Sequence, residues 1–176
     1  MRRPAAVLGS VVWFVLAPGV VAGLVPWWLT GWRFAPAPLG PLGPLGLGLR
    51  VVGAVLIAAG VVVLIGAFAR FVVEGLGTPA PVAPPGRLVV GGLYRYVRNP
   101  MYLAVLATLV GQALLLWAPV LLGYAAVVTL VELFFVYGYE EPTLRASFGT
   151  QYDEYRRHVP AWWPRLRPWQ PTDTVA

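Results

Sequence analysis

The segment Gly92 to Tyr102, Gly-Leu-Tyr-Arg-Tyr-Val-Arg-Asn-Pro-Met-Tyr, sets two arginines, three tyrosines and a proline directly ahead of a long apolar run. Arg98 and Tyr102 are four residues apart, so a helix opening at Asn99 or Pro100 projects both from its N-terminal end. Free backbone N–H groups and the positive end of the helix dipole favour an anion there, and Arg98 adds a fork suited to carboxylate or phosphate. The plainer reading of the same residues is an arginine on lipid headgroups among interfacial tyrosines. A second cluster, Glu140-Glu141-Pro142, places two carboxylates where the proline is expected to end a helix. Carboxylates oppose the dipole at a helix C-terminus, so they call for a cation, a ligand rich in hydroxyl donors, or a pair between Glu141 and Arg145. Glu132 lies inside an apolar stretch, where a carboxylate needs a partner. Gln112 or Tyr124 can supply one, or Glu132 belongs to a substrate pocket, and its seven-residue spacing puts it on the face of Tyr139. His158 is the sole histidine and follows Arg156 and Arg157, which suits a solvated or headgroup-facing residue.

These residues must be positioned by membrane elements. Of 176 residues 59% are hydrophobic and 11% charged, and the charges separate uncharged blocks, as in a polytopic membrane protein with a single integral domain over residues 1–176. There is no cysteine, which removes disulfides and thiolate chemistry. No group of carboxylates and histidines has metal-ligand spacing, so no metal is expected. All thirteen strong bases are arginine. Together with abundant Ala, Gly, Pro and Val this fits the coding bias of a GC-rich, bacterial genome, so the net charge of +6 points to topology and anionic headgroups and not to nucleic acid.

The first span is expected from about Ala5 to Leu29, kinked at Pro18, and too long for the apolar core of a cleaved signal. A second lies between Arg50 and Arg70, where Gly53, Gly60 and Gly66 allow close helix approach, as for a helix packed inside the bundle. Met101 to Tyr139 is about twice one span, and Trp117-Ala118-Pro119 divides it into a tight hairpin. The expected fold is therefore an all-α bundle of four transmembrane helices, with an amphipathic C-terminal helix marked by Phe148, Tyr152 and Tyr155. Ala35 to Gly48 repeats Pro-Leu-Gly and reads as a spacer, and residues 165–176 read as a flexible tail. With the N-terminus cytoplasmic only Arg33 and Arg50 lie outside, so both termini and the polar clusters are expected on the cytoplasmic side of an inner membrane.

In order, Gly75-Leu76-Gly77-Thr78-Pro79, the Gly92–Tyr102 segment, a hairpin, Glu140-Glu141-x-x-Leu144, Phe148-Gly149-x-x-Tyr152-x-x-Tyr155 and Val159-Pro160 resemble the isoprenylcysteine carboxyl methyltransferase family and its phospholipid N-methyltransferase relatives. The likeness covers about Gly75 to Pro164, the portion it marks as cofactor-binding. By itself Gly75-Leu76-Gly77 lacks the third glycine and preceding strand of a dinucleotide site. The resemblance implies S-adenosylmethionine as cofactor, held by Arg98, Pro100, Tyr102, Glu140 and Glu141 with Gly75, Gly77 and Tyr94 of the same motifs. It implies Arg98 and Asn99 at the reacting end, which Glu132 joins by its own place in an apolar span, and a lipophilic or lipid acceptor entering from the bilayer, such as an isoprenoid carboxylate or a lipid amine. Many members carry histidine where this chain has Asn99, which hydrogen-bonds but does not change charge near neutral pH. A similar Arg-x-Pro-x-Tyr segment and Phe-Gly-x-x-Tyr tail occur in NADPH-dependent membrane steroid and sterol reductases, a second expectation. A non-catalytic membrane partner protein is a third.

Overall fold

The computed structural model describes residues 16–34, 43–74 and 87–170. Gly75, Gly77 and the N-terminal part of the expected first span lie outside them. Among the described residues there is no strand, and the elements are helices joined by turns. We label them α1 (Leu16–Thr30), α2 (Gly43–Glu74), α3 (Pro100–Leu116), α4 (Pro119–Phe148) and α5 (Thr150–His158). Two are long and apolar enough to cross a membrane: α2 over Leu45–Arg70 and the thirty-residue α4. α1 and α3 are apolar but shorter.

Helix α2 begins earlier than expected. Pro44 sits in its first turn, where a proline has no N–H to lose, and the helix runs through Arg50, so the second half of the supposed spacer is helical. It packs antiparallel on α3 at two glycine contacts. A Cβ at Gly53 would meet the Gly111 carbonyl at 2.6 Å, and one at Gly60 would meet the Ala104 carbonyl at 2.7 Å and collide with Thr108 Oγ1. Such backbone-to-backbone approach is possible only without a side chain. Gly66 has no neighbour there within 4 Å and plays no such part. Nor is α2 enclosed by the bundle: Val51, Val55, Val62 and Ile65 are exposed while Leu64, Ala67 and Phe68 are buried, so one stripe packs and the rest faces outward. The core between helices consists of Leu64, Phe68, Ala104, Val105, Leu109 and Ala125.

The α3–α4 hairpin forms where expected, and Trp117 turns it with a left-handed φ of 54°, its N–H and that of Ala118 both bonding to the Ala113 carbonyl. Pro119 then opens α4.

Two helices use one device around an internal proline. In α1 the stretch Val20–Leu24 is π-helical, and the Val25 N–H reaches back five residues to Val20 O, with Pro26 next. Val21 O and Ala22 O are thereby left without helical donors, because Val25 is engaged elsewhere and proline has no N–H. Tyr124 OH donates to the first at 3.0 Å and Gln112 Nε2 to the second at 2.7 Å. These two side chains thus dock α1 onto α3 and α4, and neither serves Glu132. In α4 the stretch Val136–Glu140 is π-helical, Glu141 N–H bonds to Val136 O, and Pro142 follows. The helix does not end at the glutamates as expected. The wider turn absorbs the proline, and α-helix resumes over Glu141–Phe148.

Candidate functional site

The π turn decides which carboxylates face inward. From Glu132 onward the buried positions of α4 run Glu132, Val136, Glu141, spaced four and then five, and the fifth residue is the one the wide turn inserts. Regular α-periodicity would keep Tyr139 with Glu132; instead Tyr139 is exposed and Glu141 is buried. Glu140 and Glu141 therefore sit mid-helix beside the start of α3.

Pro100 opens α3 and Asn99 precedes it with φ −116° and ψ 54°, outside the helical region as a residue before proline must be. The preceding loop makes a 3₁₀ turn at Gly92–Arg95 that buries Tyr94. Arg98 and Tyr102 then reach adjacent residues of α4. Arg98 Nη1 donates to Glu141 Oε1 at 2.7 Å, with both side chains about 10% exposed, and to Tyr152 OH at 3.0 Å. Tyr102 OH donates to Glu140 Oε2 at 2.8 Å. Glu141 Oε2 also faces Arg156 Nε at 3.5 Å, whereas Arg145 pairs with Asp153 at 3.1 Å and not with Glu141 as its spacing suggested. The glutamates are thus held by partners from the loop ahead of α3, from α3 itself and from α5. Two buried donors in the same place, Arg98 Nε and Asn99 Nδ2, have no hydrogen-bond partner among the described residues.

Helix α5 supports this cluster from below. Gly149, with φ 52°, breaks α4 from α5, and the latter buries Tyr152 and Tyr155 with Val90, Val159 and Trp169. Tyr155 OH donates to the Tyr94 carbonyl at 2.8 Å, which ties α5 to the loop ahead of α3. Burial pushes the Tyr152 phenol up to about 12, with Arg98 acting against the rise, and burial raises Tyr155 and Tyr94 as well. All three are neutral hydrogen-bonding groups at ordinary pH.

Glu132 stands apart from the paired glutamates. It lines an open apolar cavity of about 350 Å³ between α1, α2, α3 and α4, with Phe68, Met101, Tyr102, Tyr124 and Phe135 among its walls. Its Oε2 is buried without a hydrogen-bond partner among the described residues. Tyr102 belongs both to this cavity and to the glutamate cluster, and so joins them. A more polar groove of about 570 Å³ lies beyond Glu141, between Tyr137, Arg145 and Arg156.

The structure therefore brings together Arg98, Tyr102, Glu140 and Glu141, with Asn99 buried beside Arg98 in the chain and Glu132 sharing a cavity with Tyr102. Pro100 lines a different groove, between α2 and α3 beside Gly60 and Leu103, so its part is to set the helix start. Tyr94 contributes its carbonyl to Tyr155. His158 stacks on Trp169 with centroids 5.7 Å apart and is exposed. Three contributors were given no site role from sequence: Tyr152, read only as a marker of the C-terminal helix and its motif, Arg156 and Trp162. Tyr152 and Arg156 are four apart on α5, a spacing that marks one helix face. Trp162, whose indole N–H donates to Tyr137 OH at 2.9 Å and whose ring lies 6.3 Å from that of Tyr102, has no local signal at all.

The sequence profile of a family described as phospholipid methyltransferase matches residues 46–151, which takes in nearly all of α2 and the whole of α3 and α4. Comparisons with curated proteins and with solved structures found no match.

Proposed function

The chain belongs to the phospholipid methyltransferase family and is thereby a membrane methyltransferase, and we propose that it moves a methyl group from S-adenosylmethionine to a lipophilic acceptor at the cytoplasmic membrane face. One observation carries this reading: two adjacent carboxylates, Glu141 buried and Glu140 half-buried, are each held by a different donor of the Arg98–Tyr102 segment, and Tyr102 also lines an apolar cavity containing a carboxylate of its own. A cofactor with charged and hydroxyl groups and an acceptor with a hydrocarbon body need such a juxtaposition.

The residues suit the cofactor. The unused N–H of Arg98 and the amide of Asn99 are donors for a carboxylate, while Glu140 and Glu141 accept from ribose hydroxyls or an ammonium group. Gly75 and Gly77 belong to the same proposed cofactor site by motif. When bound, S-adenosylmethionine supplies a methyl group activated by a sulfonium, so alignment and exclusion of water matter more than acid–base power. Tyr102 holds Glu140 in place between cofactor side and acceptor side. Glu132 Oε2, a lone acceptor in an apolar cavity, selects an acceptor that brings an N–H or O–H and takes up the proton released on methylation.

With four spans and both termini cytoplasmic, the cluster faces the cytoplasm; reporters fused after Gly40 and after Ala176 should then lie on opposite sides of the membrane. The function is tested with purified protein. S-adenosylmethionine or its homocysteine product should raise the unfolding temperature and NADPH should not. Arg98→Ala is expected to weaken that binding at least about thirty-fold, since losing a buried charged hydrogen bond costs roughly 2 to 5 kcal/mol. Labelled methyl should pass into a lipid extract, and Glu132→Gln should block transfer while leaving cofactor binding intact. Stabilisation by NADPH alone, or full cofactor affinity in a folded Arg98→Ala protein, overturns the reading.

A further inference from the structure

Beyond α5 the chain turns back along the loop that leads into α3 and is stitched to it. The backbone N–H groups of Arg98 and Asn99 donate to Pro160 O and Ala161 O at 2.9 and 3.3 Å, and those of Arg165 and Trp169 donate to Tyr96 O and Arg95 O at 3.0 and 2.9 Å. Arg95 Nε adds a bond to Trp169 O at 2.6 Å. The segment is thus fixed at the level where α3 begins, and an apolar helix within a membrane begins at the membrane border.

What this fixed segment shows to its surroundings is unusual. Trp162 folds inward to Tyr102 and Tyr137, but its neighbour Trp163 is 82% exposed and Leu166 is 99% exposed. Single exposed apolar residues are common on protein surfaces. Here a tryptophan and a leucine stand out from a loop tied down on both sides, so their exposure is imposed by the backbone. The accompanying charge has one sign: residues 156–170 contain four arginines and no acidic residue, and Arg165 and Arg167 form no ion pair among the described residues. Tryptophan at headgroup depth, an aliphatic side chain near it and two arginines without a carboxylate partner among the described residues, Arg165 bonding through Nη1 to His158 O at 2.9 Å, match the chemistry of an anionic bilayer surface.

We propose that the loop Ala161–Arg167 docks on the anionic leaflet, with Trp163 and Leu166 inserted among the acyl chains and Arg165 and Arg167 on headgroup phosphates. Because Trp162 is part of the same loop, docking also holds the indole that bridges α3 and α4 at Tyr102 and Tyr137. The proposal requires only that the protein reside in a membrane and stands whether or not methyl transfer is its reaction.

The absence of cysteine makes the test direct. Trp163→Cys and Leu166→Cys, each carrying a nitroxide, are placed in nanodiscs of phosphatidylcholine with or without phosphatidylglycerol, and access of the label to dissolved oxygen and to a water-soluble nickel chelate is measured. Both labels should be shielded from the chelate and open to oxygen in the anionic discs. The ratio of inserted to withdrawn loop should fall about fivefold for each of Arg165→Gln and Arg167→Gln, the equivalent of ~1 kcal/mol per basic residue at an anionic surface. Labels that stay open to the chelate in both lipids overturn the proposal, as does insertion indifferent to lipid charge and to the arginines. Spin–spin broadening that shows two loops in contact would assign the surface to a second copy of the chain, and also overturns it.

Discussion

Glu141→Gln removes the charge from the centre of the site while keeping its shape, and the structure says how the cost divides. Its Oε1 receives Arg98 at 2.7 Å with both side chains about 10% exposed, and its Oε2 faces Arg156 at 3.5 Å with Arg156 47% exposed. Breaking a buried pair leaves an uncompensated charge, here Arg98, whose remaining described partner is the neutral Tyr152 hydroxyl. The amide oxygen still accepts one hydrogen bond, so the expected loss is about 2–3 kcal/mol, below the full cost of stripping a buried ion of its partner. The half-exposed Arg156 is screened by solvent, and Arg156→Ala should cost at most about 1 kcal/mol. For a chain of this size 1 kcal/mol corresponds to roughly 2–4 °C in the unfolding midpoint. Thermal unfolding in one detergent should therefore show a drop of about 4–12 °C for Glu141→Gln and below about 4 °C for Arg156→Ala. A double-mutant cycle of Arg98→Gln with Glu141→Gln should give a coupling above about 1 kcal/mol, and the cycle with Arg156 close to zero. Equal losses for Glu141→Gln and Arg156→Ala would refute the assignment of Arg98 as the principal partner, and with it the view that the residue ahead of α3 rather than α5 holds the glutamate.

Two further outcomes follow from the geometry. Gly60→Ala should cost about 1–3 kcal/mol by forcing α2 from α3, because its Cβ would lie 2.7 Å from the Ala104 carbonyl, whereas Gly66→Ala meets nothing within 4 Å and should be neutral or mildly stabilising; similar unfolding temperatures for both variants would contradict the packing. Raised folded-state values for Tyr152, Tyr155 and Tyr94 mean that their contribution is fully present below the ordinary phenol value of 10.0 and is lost as pH rises through the folded values, which begin at about 12 for Tyr152. Stability should accordingly fall above pH 10 by up to about 1.4 kcal/mol per unit for each tyrosine, and tyrosinate absorbance that appears at the ordinary value without loss of stability would be the contrary result.

The amino-acid sequence alone was sufficient for those features that depend on composition and local spacing. Apolar length marked the helices, Pro100 and Pro119 marked two helix starts, and Trp117-Ala118-Pro119 marked the hairpin, since each rests on backbone chemistry within a few residues. The ordered motifs between Gly92 and Tyr155 were enough to indicate the methyltransferase family, whose profile covers residues 46–151. Tertiary structure decided who faces whom. A proline in a helical run reads locally as an end, yet Pro26 and Pro142 are absorbed by π turns, and the inserted residue turns Glu141 inward while it turns Tyr139 out. The partner of Glu141 comes from 43 residues away and not from the neighbouring Arg145, because a buried carboxylate gains more from a buried guanidinium than from a screened one. Gln112 and Tyr124 go to carbonyls of α1 that Pro26 and the π turn before it set free, which leaves Glu132 with an unpartnered oxygen in an apolar cavity. Trp162 reaches the site solely through the return of the chain beside residues 95–99. Periodicity and propensity act over a few residues, whereas these pairings are set by which donors remain unsatisfied once the helices have packed.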